Sequence, residues 1–213
     1  MPISRQTKGF ILLTAFSVLL LGVRYLRTSD YVGFSLLWNL FLAGVPVVFA
    51  LAAGRFTKVG KHKIAYLFTA LWLLFYPNSA YIITDLIHLD HLPKSLWWFD
   101  SLGIFHAALN GLILGLYSVW IIHTRVLSKL LSPAFIWPVI ILFMGLSGYG
   151  IYLGRFLRFN SWDIVSSPGE LLLTSVLHLR NPLAIKMTML FAAMQFVVYF
   201  AYWLQKDKSY ESA

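Results

Sequence analysis

Six long apolar segments alternate with short polar stretches along the chain. Each segment is close to the roughly 20 residues that an α-helix needs to cross the hydrocarbon core of a bilayer. They run approximately over residues 9–26, 33–53, 64–84, 102–122, 135–153 and 183–204. Because little chain remains between them, the pattern predicts a single integral membrane domain over residues 1–213. The predicted fold is all-α and polytopic, with about six transmembrane helices.

Composition agrees with this pattern and removes several kinds of chemistry. Of the 213 residues, 59% are hydrophobic and only 12% are charged, and the mean hydropathy is +0.75. A soluble domain carries about twice that charged fraction. Because the chain has no cysteine, disulfides, thiol catalysis and cysteine-ligated metals are excluded.

The positions of the basic residues predict the orientation, because Lys and Arg favour the cytoplasmic side of a membrane. If the N-terminus is cytoplasmic, ten basic residues lie inside and seven outside. The inner set is Arg5, Lys8, Arg55, Lys58, Lys61, Lys63, Arg125, Lys129, Lys206 and Lys208, and the outer set is Arg24, Arg27, Lys94, Arg155, Arg158, Arg180 and Lys186. The compact basic loop at 54–63 strengthens this modest bias. Both termini are therefore predicted to be cytoplasmic.

The same basic loops account for the high pI of about 9.8 without a nucleic-acid partner, since such loops are the usual topogenic signal beside transmembrane helices. The acidic residues gather on the other side. On the predicted outer face lie Asp30, Asp85, Asp90, Asp100, Asp163 and Glu170. The outer face is thus the one that holds both signs of charge.

The most informative stretch runs from 75 to 88 and reads F-Y-P-N-S-A-Y-I-I-T-D-L-I-H. Pro77 removes a backbone donor, so the third helix is expected to kink or tighten there. If the helix resumes, Asn78, Tyr81, Asp85 and His88 recur at spacings of three and four and share one face. Polar groups at membrane depth are costly without partners. This stripe should therefore face protein or a water-filled cavity.

A metal is a weaker interpretation of the same region. Asp85, His88 and His91 lie three residues apart, a spacing that can bring carboxylate and imidazole groups to one ion. Interfacial His and Asp are also ordinary in a wetted loop. No metal is therefore predicted. No cofactor is indicated either, because no Gly-rich phosphate loop follows a strand.

Two further patterns, H-x-x-x-N at His106–Asn110 and G-x-S-G at Gly145–Gly148, are similar to those of rhomboid intramembrane proteases. Catalysis there needs a base within hydrogen-bond reach of the serine. That family carries its base on the sixth helix, and the sixth helix here has no histidine. Gly and Ser are also common where membrane helices pack. A rhomboid-like activity is not favoured.

The second informative stretch runs from Gly150 to Asp163 and reads G-I-Y-L-G-R-F-L-R-F-N-S-W-D. Arg155 and Arg158 are one helical step apart at the end of the fifth helix. Cations suit a helix C-terminus and can snorkel to the interface. Alternatively, one arginine pairs with Asp85 and leaves the other to bind an anion. Both interpretations stay open.

These two stretches together resemble the hallmarks of a family of uncharacterised bacterial integral membrane proteins, catalogued only as a domain of unknown function. The first hallmark has the form P-N-x-x-Y-I-x-T-D-L-x-H-L, and the second G-I-Y-L-G-R-F-L-R-x-N-S-W-D. One departure is Ser79-Ala80, where Ala-Pro is expected. The resemblance implies a multi-pass protein of the bacterial cytoplasmic membrane. It implies no activity, substrate or cofactor.

A short helix over about 168–179 is expected in the last outer loop, lying in the interface rather than spanning it. Ser167, Pro168 and Glu170 fit a capping box, with Ser at the N-cap and Pro at the first helical position. Such a helix could cover a cavity between the two motif stretches.

Two function classes remain, with a purely structural role for another membrane protein as a third. The first is binding or transport of a small molecule or lipid through a polar outer-face cavity; the second is a membrane-embedded enzyme acting on a lipid or envelope substrate, with Asp85 or His88 as acid or base. The expected polar cluster, as ligand site or packing network, is Asn78, Tyr81, Thr84, Asp85, His88, Arg155, Arg158, Asn160 and Asp163. Besides the lipid bilayer, a small-molecule or lipid ligand and a membrane-protein partner are the partner classes considered.

Overall fold

The computed structural model describes residues 5–28, 31–91 and 94–211, and in these ranges every regular element is helical. In chain order the α-helices are α1 (Arg5–Thr28), α2 (Tyr31–Lys58), α3 (His62–Phe75), α4 (Pro77–Tyr81), α5 (Trp97–Ile122), α6 (Ser128–Leu130), α7 (Pro133–Phe156), α8 (Asp163–Ser166), α9 (Pro168–His178) and α10 (Pro182–Glu211). A 3₁₀ segment covers Ile82–His91, another covers Lys94–Leu96, and a π-helical turn covers His123–Leu127.

Six helical stretches of the described chain are long and apolar enough to cross a membrane. They are Thr7–Arg27, Phe34–Lys58, His62–Ile87, Lys94–Leu130, Pro133–Phe156 and Pro182–Gln205. The predicted all-α, six-helix polytopic architecture is confirmed. The protein is a multi-pass membrane protein whose surroundings are a lipid bilayer.

The core lies where α3, α5, α7 and α10 meet. Trp72 and Tyr199 are fully buried there. Trp72 stacks on Tyr76 at 4.9 Å between ring centroids and donates from Nε1 to Ser118 Oγ at 3.0 Å. A second apolar cluster joins α1, α2, α5 and the 3₁₀ segment. The bundle is thus held by aromatic packing in which the polar ring atoms are satisfied.

The third span is interrupted where Pro77 lacks an N–H, as the sequence predicts. α3 ends at Phe75 and α4 begins at Pro77. From Ile82 the chain tightens into a 3₁₀ helix of ten residues, which is long for this geometry. Because a 3₁₀ helix repeats every three residues, residues at α-helical spacings of four no longer share one face beyond Tyr81. The regular α-helical stripe expected from the sequence therefore does not continue through Ile82–His91.

The helix expected after Pro168 is present as α9, with Ser167 at the N-cap and Pro168 at the first helical position. The predicted capping box is wrong, however, because the Ser167 side chain makes no capping hydrogen bond. Ser167 also ends α8, since its N–H donates to the Asp163 carbonyl at 2.9 Å. That double duty holds its backbone at φ −145°, ψ 57°, away from the extended geometry that aims an N-cap hydroxyl into the helix.

Candidate functional site: a cavity between the two motif stretches

The two motif stretches are held together by glycines on α7. A Cβ at Gly150 would lie 2.7 Å from Pro77 Cγ, and one at Gly154 would lie 3.1 Å from Tyr81 Cε2. Because these glycines are four residues apart, they form one flat face of the helix. The short helix α4 lies directly against that face.

α5 presents a matching face on the other side of α4. A Cβ at Gly111 would lie 2.7 Å from the Ser79 carbonyl oxygen, and one at Gly115 would lie 2.7 Å from Ser79 Cβ. The Ser79 hydroxyl itself donates to the Ala43 carbonyl of α2 at 3.3 Å. α4 is therefore clamped between two glycine pairs, which fixes the position of the residues that follow it.

An ion pair joins the stretches at Asp85. Its Oδ1 accepts from Arg155 Nη1 at 2.9 Å, so the predicted pairing of Asp85 with an arginine of the second stretch is confirmed. Its Oδ2 accepts from Asn39 Nδ2 at 3.1 Å. One carboxylate thus connects α2, the 3₁₀ segment and α7. With both oxygens hydrogen-bonded, it fixes the relative positions of these three elements.

A second link runs through Asn78 and Ser161. Asn78 Nδ2 donates to the Phe75 carbonyl at 2.9 Å and to Ser161 Oγ at 3.1 Å. Ser161 Oγ donates in turn to the Leu74 carbonyl at 3.1 Å. These bonds tie the loop after α7 to the broken end of α3, where Pro77 leaves carbonyl groups without helical donors.

The loop after α7 is shaped by a strained backbone. Arg158 has φ 60°, in the left-handed region that costs a non-glycine residue about 1–2 kcal/mol. The Phe159 N–H then donates to the Leu153 carbonyl at 3.2 Å. The chain therefore folds back over the helix end and brings Asn160, Ser161 and Trp162 towards α2.

Between these elements lies a cavity of about 180 Å³, here called the motif cavity. Its polar lining comes from amide and hydroxyl groups, and its apolar walls combine aromatic and aliphatic side chains. The lining residues are Trp38, Asn39, Leu42, Leu74, Pro77, Asn78, Tyr81, Gly150, Leu153, Gly154, Phe159, Asn160, Ser161, Trp162 and Leu171. Trp38 and Trp162 meet edge to face, with 6.4 Å between ring centroids. α9 contributes Leu171 and so closes one side, as the sequence led us to expect.

Of the polar cluster expected from the sequence, three residues line the cavity: Asn78, Tyr81 and Asn160. Asp85 and Arg155 adjoin it through Asn39. Thr84 donates to the Tyr81 carbonyl at 2.7 Å, and Asp163 Oδ2 accepts from the Asn160 N–H at 2.7 Å; both make local bonds.

The two remaining members are Arg158 and His88. Arg158 is exposed at the strained turn. The side chain of His88 lies outside the described residues, as does that of His91. The prediction that no metal binds there is therefore neither confirmed nor contradicted.

Asn39 and Trp38 line the cavity but are absent from the cluster expected from the sequence. A polar side chain at membrane depth was the signal that could have placed Asn39 in the site. Ser161 belonged to the second motif but was not singled out. Its role depends on the turn at Arg158, which no hydropathy pattern reveals.

The two protease-like patterns fall into separate clusters. Ser147 Oγ donates to Gln195 Oε1 at 3.1 Å, whereas His106 Nδ1 lies 2.8 Å from Ser17 Oγ. Asn110 Nδ2 donates to the same Ser17 hydroxyl at 3.2 Å. Since Ser17 is fully buried, this contact reads as packing between α1 and α5.

Comparison with known proteins gives one match. A family model described as a protein of unknown function (DUF1361) matches residues 38–198, which is more than half of the chain and includes both motif stretches. Neither the curated proteins nor the solved structures contain a match to the chain.

Proposed function

Because the chain belongs to the DUF1361 family of proteins of unknown function, its relationship supplies no activity, and we propose one from the cavity: the protein binds a small uncharged polar molecule, or the uncharged polar part of a lipid, in the motif cavity. The observation that carries the proposal is the cavity itself. It lies between the two stretches that sequence analysis singled out, and both contribute polar side chains to its wall.

The charge of the lining favours an uncharged ligand. Every residue that lines the motif cavity is neutral. Of the charged neighbours of the lining, Asp85 and Arg155 are paired with each other at 2.9 Å, and Asp163 accepts from the Asn160 N–H. A charged ligand would lose its hydration and find no counter-charge on the wall. An uncharged ligand loses less and can exchange hydrogen bonds with Asn78, Asn160 and Ser161.

The size and shape of the cavity favour a small molecule or a head-group fragment. A volume of about 180 Å³ is more than ten times the roughly 10–15 Å³ that one water needs. Rigid rings such as Trp38 and Trp162 give contact area at little entropic cost, and a few amides fix orientation. Two of the lining amides are already hydrogen-bonded, Asn39 to Asp85 and Asn78 to the Phe75 carbonyl and Ser161. The site is therefore formed before a ligand enters.

The predicted topology puts this cavity on the outer side of a bacterial cytoplasmic membrane. In that orientation the ligand arrives from the periplasmic side or from the outer leaflet. Binding is proposed rather than ion-coupled transport because charged residues lie near the ends of the apolar segments, not midway through several of them.

Blocking the cavity tests the proposal directly. Leu171→Trp adds bulk at a lining position, whereas Leu172→Trp adds the same bulk at the next position, whose side chain is 68% exposed. Both proteins are purified from the native host in mild detergent and examined by native mass spectrometry. We expect a co-isolated uncharged molecule on the unmodified protein and on Leu172→Trp, and its loss from Leu171→Trp.

Two results would overturn the proposal. One is the same bound mass on both tryptophan variants, since the ligand would then sit elsewhere. The other is an unmodified protein that carries no bound molecule, together with an unfolding midpoint that stays the same when uncharged sugars, polyols and glycolipids are added. The cavity would then be a gap in a network that only fixes helix positions.

A further inference from the structure

A second cavity lies further along α2. Its lining begins at Leu51, nine residues and roughly 14 Å of helix beyond Leu42 of the motif cavity. It measures about 870 Å³ and is formed by the end of α2, the start of α3 and the π-helical turn that follows α5. The residues that line it are Leu51, Gly54, Arg55, Thr57, Lys58, His62, Thr124, Arg125 and Lys129. We call it the basic cavity.

Its charge is of one sign. Four of the lining residues are Lys or Arg, and none is acidic. All four are exposed. Among the residues that the structure describes, no ion pair involves them. Like charges that converge without a counter-ion repel one another, and a bound anion relieves that repulsion.

Topogenic signalling explains why basic residues are present but not how they are arranged. A positive-inside loop needs only Lys and Arg near a helix end. Here the cations come from two helical stretches, the end of α2 and the turn that continues into α6, and they line one concave space. Their convergence is a property of the fold.

Arg125 is held in place rather than merely exposed. A Cβ at Gly54 would lie 3.0 Å from Arg125 Cβ and 3.2 Å from its Cδ. The stem of the arginine therefore lies on the bare backbone of α2, and a larger residue at position 54 would displace it. The absence of a side chain at Gly54 therefore lets the Arg125 stem pack against α2, and this packing sets the position of the guanidinium in the basic cavity.

The segment that carries Arg125 is itself irregular and anchored. His123–Leu127 forms a π-helical turn. Such turns are rare in proteins overall, and those that occur are often found at functional sites. His123 Nδ1 lies 2.8 Å from Tyr199 OH of α10, and Val126 and Leu127 are buried. The turn is thus fixed to the core on one side while it presents Arg125 on the other.

We propose that the basic cavity binds a phosphate group, carried by the head group of an anionic lipid or by a soluble phosphate compound. Guanidinium groups suit phosphate oxygens because their donors form a planar fork. Basic pockets between transmembrane helices are a recognised setting for anionic lipid head groups. Leu51 is 41% exposed and continues the cavity wall with an apolar surface, which gives an acyl chain a place to lie.

The proposal is independent of the function assigned to the motif cavity. The two cavities share no lining residue and lie along different halves of α2. Variants of the basic cavity should leave the molecule bound in the motif cavity unchanged, so one proposal can fail without the other.

The test measures lipid retention with matched charge variants. The full chain in neutral detergent is titrated with phosphatidylglycerol, with phosphatidylcholine and with inorganic phosphate, and bound lipid is counted by native mass spectrometry. Arg125→Gln removes a lining charge, and Lys63→Gln removes an equal charge from α3 outside the lining. We expect Arg125→Gln to weaken phosphatidylglycerol binding about fivefold, as one lost cationic contact implies, and Lys63→Gln to change it less than twofold.

A third variant keeps the charge and changes only the geometry. Gly54→Val pushes on the Arg125 stem, so we expect it to weaken phosphatidylglycerol binding while the net charge stays the same. Its folded yield is checked by size-exclusion chromatography, and Arg125→Gln carries the test if the yield falls.

The outcomes separate the two sources of phosphate. Tight phosphatidylglycerol binding that millimolar phosphate leaves unchanged identifies a lipid site. Competition by phosphate identifies a soluble phosphate compound. Equal losses in Arg125→Gln and Lys63→Gln, or equal binding of phosphatidylcholine, would show a diffuse basic surface and overturn the proposal.

Discussion

Two Arg–Asp pairs join helices in the described part of the chain, and their surroundings differ. Arg24 of α1 and Asp100 of α5 lie 2.5 Å apart, with both side chains only 3% exposed. Arg155 and Asp85 lie 2.9 Å apart, with side chains 16% and 10% exposed. Beside the first pair is a gap of only about 10 Å³, walled by leucines and Phe99. Beside the second pair, reached through Asn39, is the motif cavity.

The difference shows that the same two functional groups can do different work. A sealed pair can only fasten one helix to another, because nothing can reach it. The Asp85 carboxylate also fastens helices, but it holds Asn39, whose side chain forms part of a cavity wall. Variants of the first pair should therefore change stability alone. Variants around the second should change both stability and what the cavity holds.

The largest effect is expected at the sealed pair. Asp100→Ala leaves the Arg24 charge buried among α1, α2 and α5, and stranding one partner of a buried pair costs about 3–5 kcal/mol. We expect the free energy of unfolding, measured by SDS titration of dodecyl maltoside micelles, to fall by that amount.

The control for this prediction is the double variant Arg24→Leu/Asp100→Leu. It removes both charges and keeps apolar volume, and such replacements of a buried pair are often neutral or stabilising. Molecules that stay folded should retain the ligand of the motif cavity. Loss of that ligand from folded Asp100→Ala protein would contradict the division between the two pairs.

The next effect is expected at the partly open pair. Asp85→Ala removes the acceptor for Arg155 and Asn39, and a hydrogen bond to a charged group contributes about 1.5–3 kcal/mol. Arg155 is 16% exposed, so water can solvate part of the stranded charge. We expect a loss of unfolding free energy in that range, together with weaker retention of the co-isolated molecule because Asn39 is released.

Removing the matching arginine sharpens the test. Asp85→Ala/Arg155→Met should recover part of the stability, since no unpaired charge remains, but it should not recover retention. Full recovery of both properties would mean that the pair acts only as a fastener, like Arg24 and Asp100.

The sequence predicted one pair and not the other, for a physical reason. Asp85 and Arg155 stand in motifs rich in polar residues, at the ends of spans that both leave the membrane on the same side. Arg24 and Asp100 also stand at span ends, but each has interfacial neighbours such as Tyr25 or Trp98, so both fit a wetted boundary. Hydropathy gives the depth of a residue and not its rotation about the helix axis. The burial of Arg24 depends on that rotation.

For the same reason, the sequence predicts the fold better than it predicts the candidate site. Length and hydropathy were enough for six helices, and Pro77 was enough for the break in the third span. The motif cavity depends on close contacts of Gly150 and Gly154 with α4 and on the left-handed turn at Arg158. Those contacts are set by how helices meet, which a single sequence leaves open.

A smaller effect is expected from closing the contact between α4 and α7. In Gly150→Ala the new Cβ would lie 2.7 Å from Pro77 Cγ, so the helices must separate. We expect a loss of about 1–2 kcal/mol in unfolding free energy, typical of overpacking, and altered retention in the motif cavity. The matched control is Gly145→Ala on the same helix, where a Cβ meets nothing within 4 Å. That control should leave the free energy unchanged or raise it by up to about 1 kcal/mol.

The smallest effect, and the one that separates the two regions most sharply, is expected at Arg158. Its φ of 60° costs a non-glycine residue about 1–2 kcal/mol, and glycine adopts that conformation without the cost. The side chain is exposed, so its removal sacrifices little packing. Relief of this strain in Arg158→Gly should therefore raise the unfolding free energy. The increase is limited to about 1 kcal/mol, because the greater entropy of glycine in the unfolded chain offsets part of it. Arg158→Ala, which keeps the strain and removes the guanidinium, is the control and should leave stability within about 0.5 kcal/mol. If the guanidinium helps a ligand enter the motif cavity, both variants lose retention while neither loses stability, a combination that no variant of the sealed pair can produce. Unchanged retention in both variants would limit the role of this turn to placing Asn160, Ser161 and Trp162.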